Sequence, residues 1–296
     1  MASVQDIKRR VRSVRNTRKI TKAMELVAAA RLRRAQARIE AMRPYADRML
    51  ELMAGTARAS SSLRGLPLLQ RREVETVAIV PITGDRGLAG AFNAQVLRRA
   101  FALERSLRGE GKKVVWLVVG RKGASTLRFR RYEVEQAWTG LGDRPAYADA
   151  QAVAHRLAEL YVEGAVDRVV VVYNAFVSPL VQRVTAQDVL PISPETLEQG
   201  EDDAHERALR GDFIYEPEPE EILTRLLPVY LETELFRALL ESSASEYGAR
   251  MTAMRNATKS AGELIDTLTL AMNRARQAEI TQEILEVVAG ADALNA

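Results

Sequence analysis

The sequence predicts an α/β fold with long helices: an antiparallel coiled coil of N- and C-terminal helices plus a central Rossmann-like α/β domain. Three observations carry this reading. Apolar residues recur three and four apart through each end of the chain. The middle alternates short β-branched runs with helical stretches. Size supplies the third. A helix of some fifty residues spans about 80 Å, against about 50 Å for the diameter of a compact globule of this length, so two such helices protrude and pair with each other.

At the N-terminus the stripe runs Val4, Ile7, Val11, Val14 and resumes as Ala28, Leu32, Ala35, Ile39, Met42, Ala46, Met49 and Met53, a heptad seam. In between, the same register falls on Arg18, Thr21 and Glu25. The apolar residues there are Ile20, Met24 and Val27, so the seam is expected to shift around the helix. Pro44 marks a kink and Gly55 is the first glycine. The C-terminal stripe passes through Leu240, Ala244, Tyr247, Met251, Met254, Ala261, Ile265, Leu268, Met272 and Ala275, then moves to Ile280, Ile284 and Val287. Gly248 and Gly262 permit close helix approach. In the middle, "VETVAIVPI", "KKVVWLVVG", "DRVVVVYNAFV" and "VQRVTAQDVLPI" read as strands, with helices near 91–108 and 147–163. The expected division is 1–63 for the N-terminal helix, 73–192 for the α/β domain, 193–220 for an acidic linker, and 221–296 for the C-terminal helix.

Composition narrows the chemistry. The 296 residues contain no cysteine, which excludes disulfides, thiolate metal sites and a cysteine nucleophile. His155 and His205 leave a histidine metal centre almost nothing to work with. The apolar runs fall well short of the about 20 residues that cross a bilayer, and no secretory signal is visible, so a soluble chain is expected. No Ser/His/Asp set stands out, so neither a catalytic residue, a metal nor a cofactor is expected. "PITGDRGLAGAFN" follows a strand and opens a helix, as phosphate-binding turns do. It lacks both the G-x-G-x-x-G spacing and the Gly-Lys-Ser/Thr of a P-loop, and reads first as a glycine-rich strand-to-helix turn. The stretch "EQGEDDAHER" lacks calcium-loop spacing and reads as a solvated linker.

The charge is unevenly placed. Between Lys8 and Arg38 stand twelve Lys or Arg and one acid, Glu25, whereas residues 193–221 carry eleven acids against two arginines. Arg9, Arg10, Arg12, Arg15 and Arg18 suit nucleic-acid phosphates, a solvated helical face, or an acidic protein partner enclosing the helix; composition leaves all three open. An Arg-rich, acid-poor start also suits an import peptide.

The residues "NTRKITKAMELVAAARLRRAQ" (16–36) resemble the N-terminal helix of the γ subunit of F-type ATP synthases, and "ITQEILEVVAGADA" (280–293) is similar to that family's C-terminal signature. "TGDRGLAGAFN", "GDRP" at 142 and "YEPEP" at 215 resemble further family motifs, in order along the whole chain. Two positions depart: Gly84 stands where the family usually has Ser, and Ala89 where it usually has Cys. The resemblance implies a central rotor shaft, one copy per complex, not an enzyme by itself. It would turn inside a ring of α and β subunits and rest with the epsilon subunit on the membrane c-ring. It implies no nucleic acid, no cofactor, and a peripheral place on the cytoplasmic face of a bacterial plasma membrane. An import peptide is set aside, since the resemblance begins inside the basic stretch. The implied contacts with β are Lys19, Lys22, Met24, Arg276, Gln277, Thr281 and Glu283. The implied c-ring or foot contacts are Asp143, Tyr215 and Glu216.

Overall fold

The computed structural model describes residues 3–60, 65–193 and 216–295, with side chains described to residue 290. The elements are α1 (Val4–Ala59), a 3-10 turn (Pro67–Leu69), β1 (Thr76–Pro81), α2 (Phe92–Gly109), β2 (Lys113–Val119), α3 (Arg121–Phe129), β3 (Gln136–Trp138), α4 (Tyr147–Val162), β4 (Arg168–Phe176), β5 (Gln182–Leu190) and α5 (Pro219–Asn295). Two compact units result, Met1–Ala29 with Arg250–Ala296, and Ala30–Ala249. Both α1 and α5 contribute residues to each unit, and α1 is continuous across Pro44.

In the larger unit the sheet order is β3-β2-β1-β4-β5. The first four strands pair in parallel, and β5 returns antiparallel beside β4. The β1–β4 neighbourhood is the point where the strand order reverses, as in doubly wound folds. The central strands are buried on both faces, so β1 and β4 read as unbroken Val/Ile-rich runs. One face packs Val77, Ile79, Trp116 and Val118 against α2 and α3 through Val96, Ala100, Leu107, Ala124 and Leu127. The other packs Ala78, Val80, Leu117 and Val171 against α4, Met49 and Met53 of α1, and a ladder of Leu223, Leu227, Leu231 and Leu235 on α5. These leucines recur every four residues and bury one face of the helix completely.

The sequence expectation omits β3 and α3. β3 is a three-residue edge strand, and α3 is nine residues with Gly123 inside it, both too short for a periodic signal. In the smaller unit, Ile7 and Val11 pack on Ile265, with Val14, Leu268, Met272 and Ala275 against them. The pairing is antiparallel: Thr21 bonds Thr258, and Glu25 bonds Arg255.

The seam does not shift. Thr21 and Glu25 are buried, whereas Ile20 and Val27 are 60% and 53% exposed and Met24 is half-buried. The heptad register holds at Thr21 and Glu25, whose hydrogen bonds satisfy them in the seam, while Arg18 is exposed and Ile20 and Val27 face outward. Gly248 also serves differently from the expectation. A Cβ there would meet the backbone oxygen of Pro179 at 3.0 Å, so this glycine admits the β4–β5 turn rather than another helix. At Gly262 an added Cβ would find an ordinary contact with Arg18.

Gly120 separates β2 from α3 at φ +96, and a Cβ there would run into the Thr83 backbone carbonyl. Gly120→Ala therefore combines left-handed strain with a backbone clash and should cost more than about 2 kcal/mol. Urea unfolding measures this; a loss within about 0.5 kcal/mol would show that the turn relaxes freely.

Candidate functional site

Doubly wound sheets bind ligands in the crevice beyond the carboxyl ends of the strands where their order reverses. Here α5 fills that place. The Ser245 hydroxyl donates to the Asn174 carbonyl of β4 at 2.9 Å, and Asn174 in turn donates to the Phe92 carbonyl at the start of α2. Ser243 donates to the Gly142 carbonyl at 3.0 Å, and Tyr247 to the Asp143 carbonyl at 2.7 Å. The Glu246 carboxylate lies so close to Gly84 that a Cβ there would stand 2.7 Å from its Oε2. Glycine at this position thus has a local reason: the turn packs against Glu246 of α5.

Asp85, from the same turn, is the hub of this arrangement. Its carboxylate accepts N–H groups from Arg121 at 3.0 Å, Gly140 at 3.0 Å and Gly142 at 3.2 Å. It thereby joins the β1 turn, the start of α3 and the 140–143 loop. That loop presents Asp143 to Arg31 of α1 at 3.3 Å and to Arg86 at 3.7 Å. Arg31 also lies over the Tyr247 ring. Burial raises the Tyr247 phenol above its usual range, although Arg31 opposes this, so the hydroxyl stays protonated and donates.

The smaller unit displays the other cluster. Arg18, Lys19, Lys22, Thr258, Lys259 and Gly262 line an open cleft of about 600 Å³. Lys22 donates to Glu25 at 3.0 Å, and Arg255 donates to the other Glu25 oxygen at 3.1 Å. The Lys22 bond leads in holding the Glu25 carboxyl below the usual carboxylate range; burial opposes it and Arg255 supports it. Lys19 is exposed beside exposed Ile20, Leu26 and Val27. Arg276, Gln277, Thr281 and Glu283 are all exposed on α5, among Ile280, Ile284, Leu285, Val287 and Val288, which are exposed as well. The Thr281 hydroxyl donates to the Gln277 carbonyl at 2.8 Å. The α1 seam begins at Val4, so α5 beyond Ala275 has no packing partner among the described residues.

Of the foot residues, Tyr215 lies outside the described residues and Glu216 is exposed just before α5. Asp143 and Glu216 are not brought together. Asp143 meets α5 at Tyr247, some 28 residues past the helix start, or about 40 Å along its axis. Sequence reasoning placed Asp85 in hydrogen bonds local to the turn, where it instead reaches Arg121, Gly140 and Gly142, and Tyr247 in the apolar stripe; it missed Arg31, Ser243, Ser245 and Glu246. The signal was the polar Ser243, Ser245 and Glu246 set between the stripe positions Leu240, Ala244 and Tyr247.

The ATP synthase family profile matches residues 3–294. The ATP synthase gamma chain of Rubrobacter xylanophilus is 47% identical over 296 residues, covering all of both chains. That of Moorella thermoacetica is 47% identical over 294 residues, covering 99% of this chain and all of its own. The chain belongs to the ATP synthase gamma chain family. A chain of the central stalk and c-ring structure of Tetrahymena thermophila mitochondrial ATP synthase aligns with TM-score 0.58 and 28% identity, over 80% of this chain and 99% of that one. Gamma chains are subunits of the ATP synthase complex, and among the described residues no helix is long and apolar enough to cross a membrane.

Glu25 tests the polar seam. A carboxyl whose pKa is lowered on folding contributes stability that is present above its unfolded value of about 4.5 and lost as pH falls through the folded value. The Lys22 and Arg255 heads are more than half exposed, so Glu25→Gln should lower stability by only about 1 kcal/mol at about pH 7. The difference from the parent should shrink below about pH 4. Chemical unfolding followed by circular dichroism at both pH values measures it, and a pH-independent difference would remove the ion pairs from the account.

Proposed function

We propose that this chain is the central rotor stalk of an F-type ATP synthase, coupling ion flow through a c-ring to ATP synthesis or hydrolysis at β subunits by turning inside the α/β ring. The observation that carries this reading is the outward face of the smaller unit. Its seam is closed internally by Thr21, Glu25, Thr258 and Arg255, which leaves Lys19, Ile20, Leu26 and Val27 facing outward. A face both cationic and apolar suits an enclosing protein with acidic and apolar surfaces better than a nucleic acid. The unpartnered end of α5 suits an apolar sleeve for the same reason.

The chain is non-catalytic in this reading. Its ligand crevice is filled by α5, and chemistry belongs to the β subunits that its asymmetric surface deforms in turn. Lys19, Lys22, Met24, Arg276, Gln277, Thr281 and Glu283 form the sliding contacts with β. Exposed ion pairs contribute about 0–1 kcal/mol each, so they grip and release without trapping one angle. Tyr215 and Glu216 act at the c-ring with the epsilon subunit, on the cytoplasmic side of the bacterial plasma membrane. Asp143 acts as a brace between the 140–143 loop and the helix pair rather than as a ring contact.

The decisive experiment uses the absence of cysteine. Glu110, exposed at the end of α2, is replaced by Cys and labelled as the sole thiol. In the chain assembled with its α and β subunits, ATP should drive stepwise, one-directional rotation of the label; assembly without rotation would refute the rotor reading. The contact assignment has its own test. Met24→Lys adds a charge at the proposed β contact and should reduce ATP-driven proton pumping several-fold while complex yield stays within about twofold. Equal loss of both would mark Met24 as a packing residue only.

A further inference from the structure

On the α2–α3 side of the larger unit lies a cleft of about 630 Å³ that the rotor reading does not use. We propose that it docks an extended acidic segment of a protein partner. Two helices form its rails. From α2 come Arg98 and Arg105, seven residues and about 10 Å apart; from α3 comes Lys122, with Arg130 just past the helix end. All four cations are exposed, and none is ion-paired among the described residues. The one acid lining the cleft, Glu104, is buried and already engaged, accepting the Tyr132 hydroxyl at 2.8 Å and pairing with Arg108 at 2.8 Å. The charge of the cleft is therefore uncompensated.

The floor decides the kind of anion. Phe101 stacks on Tyr132 and meets Trp116 edge-on, while the Arg130 guanidinium lies 4.4 Å from the Phe101 ring centre. Side chains of the same domain thus cover the Phe101 ring, which leaves it no platform for a nucleotide base. The same stacking holds Arg130 in place before any ligand arrives, which lowers the ordering cost of binding. The remaining floor is apolar, from Ala94, Leu97 and the edge of Phe101. The cations are spread along the rails instead of converging on one point, a poor fit to a single phosphate. A peptide with several Asp or Glu fits both features: its aliphatic stems lie on the floor and its carboxylates reach the rails.

The test uses the full chain with Thr126→Cys, a position lining the cleft, carrying a benzophenone on this sole thiol. Irradiation with a biotinylated deca-glutamate peptide should capture it at position 126. Arg98→Glu/Arg105→Glu should reduce capture at least about tenfold, whereas Arg33→Glu/Arg34→Glu, on α1, should leave it within about twofold. Should the double reversal fail to fold, Arg98→Gln/Arg105→Gln is read instead, with at least about a threefold loss expected. In the assembled complex, the same label should cross-link to an acid-rich stretch of a partner subunit. Capture indifferent to the α2 variants, tighter competition by inorganic tripolyphosphate than by unlabelled peptide, or cross-links confined to non-acidic surfaces would each overturn the proposal.

Discussion

A single helix filling the crevice of a doubly wound sheet is the constraint on which the larger unit depends. The carboxyl ends of parallel strands leave backbone groups that loops and ligands commonly satisfy. Here Ser243, Ser245 and Tyr247 of α5 bond to carbonyls of the 140–143 loop and β4, and Asp85 gathers three N–H groups from the neighbouring turns. Earlier along the same helix, the leucines of α5 enter the core beneath the sheet. The helix is held by apolar burial along one stretch and by directed hydrogen bonds along the next. Burial gives most of the stability, and the hydrogen bonds fix register and rotation.

Tyr161 and Asp167 show the same division of labour at the amino-terminal end of the sheet. Burial opposes ionisation of Asp167, yet the Thr76 and Glu75 N–H groups and the Arg72 guanidinium hold its carboxyl below the usual range. Arg72 also lies over the Tyr161 ring at 4.6 Å. Both ends of the sheet are therefore closed by carboxylates accepting backbone N–H groups, one of them joined to arginine.

In the smaller unit the polar seam serves specificity. A fully apolar stripe tolerates sliding by a heptad, whereas the Thr21–Thr258 and Glu25–Arg255 pairs are satisfied in one register only. Keeping the seam in place has a second effect, since it turns Ile20, Leu26 and Val27 outward. Side chains that looked like core thereby become surface. A shaft that must touch its surroundings in many orientations gains from apolar contacts, which lack direction, set among weak exposed charges.

Periodicity and motif order in the sequence by themselves determined the helical ends, the α/β middle, four of the five strands and the family. Each rests on local propensity or on many residues acting together, and both survive without knowledge of tertiary contacts. The three-residue β3 and the nine-residue α3 lacked enough residues to express a period. Tertiary structure alone decided where the seam ran between Arg18 and Ala28, because the sequence shows that Thr21 and Glu25 are polar but not that Thr258 and Arg255 stand opposite them. It likewise decided that the glycine turn faces Glu246, and that Asp143 meets α5 at Tyr247, far along the helix from Glu216, which precedes it. In each case the deciding partner lies more than a hundred residues away along the chain or is set by the length of a helix, and such distances leave no mark on local sequence.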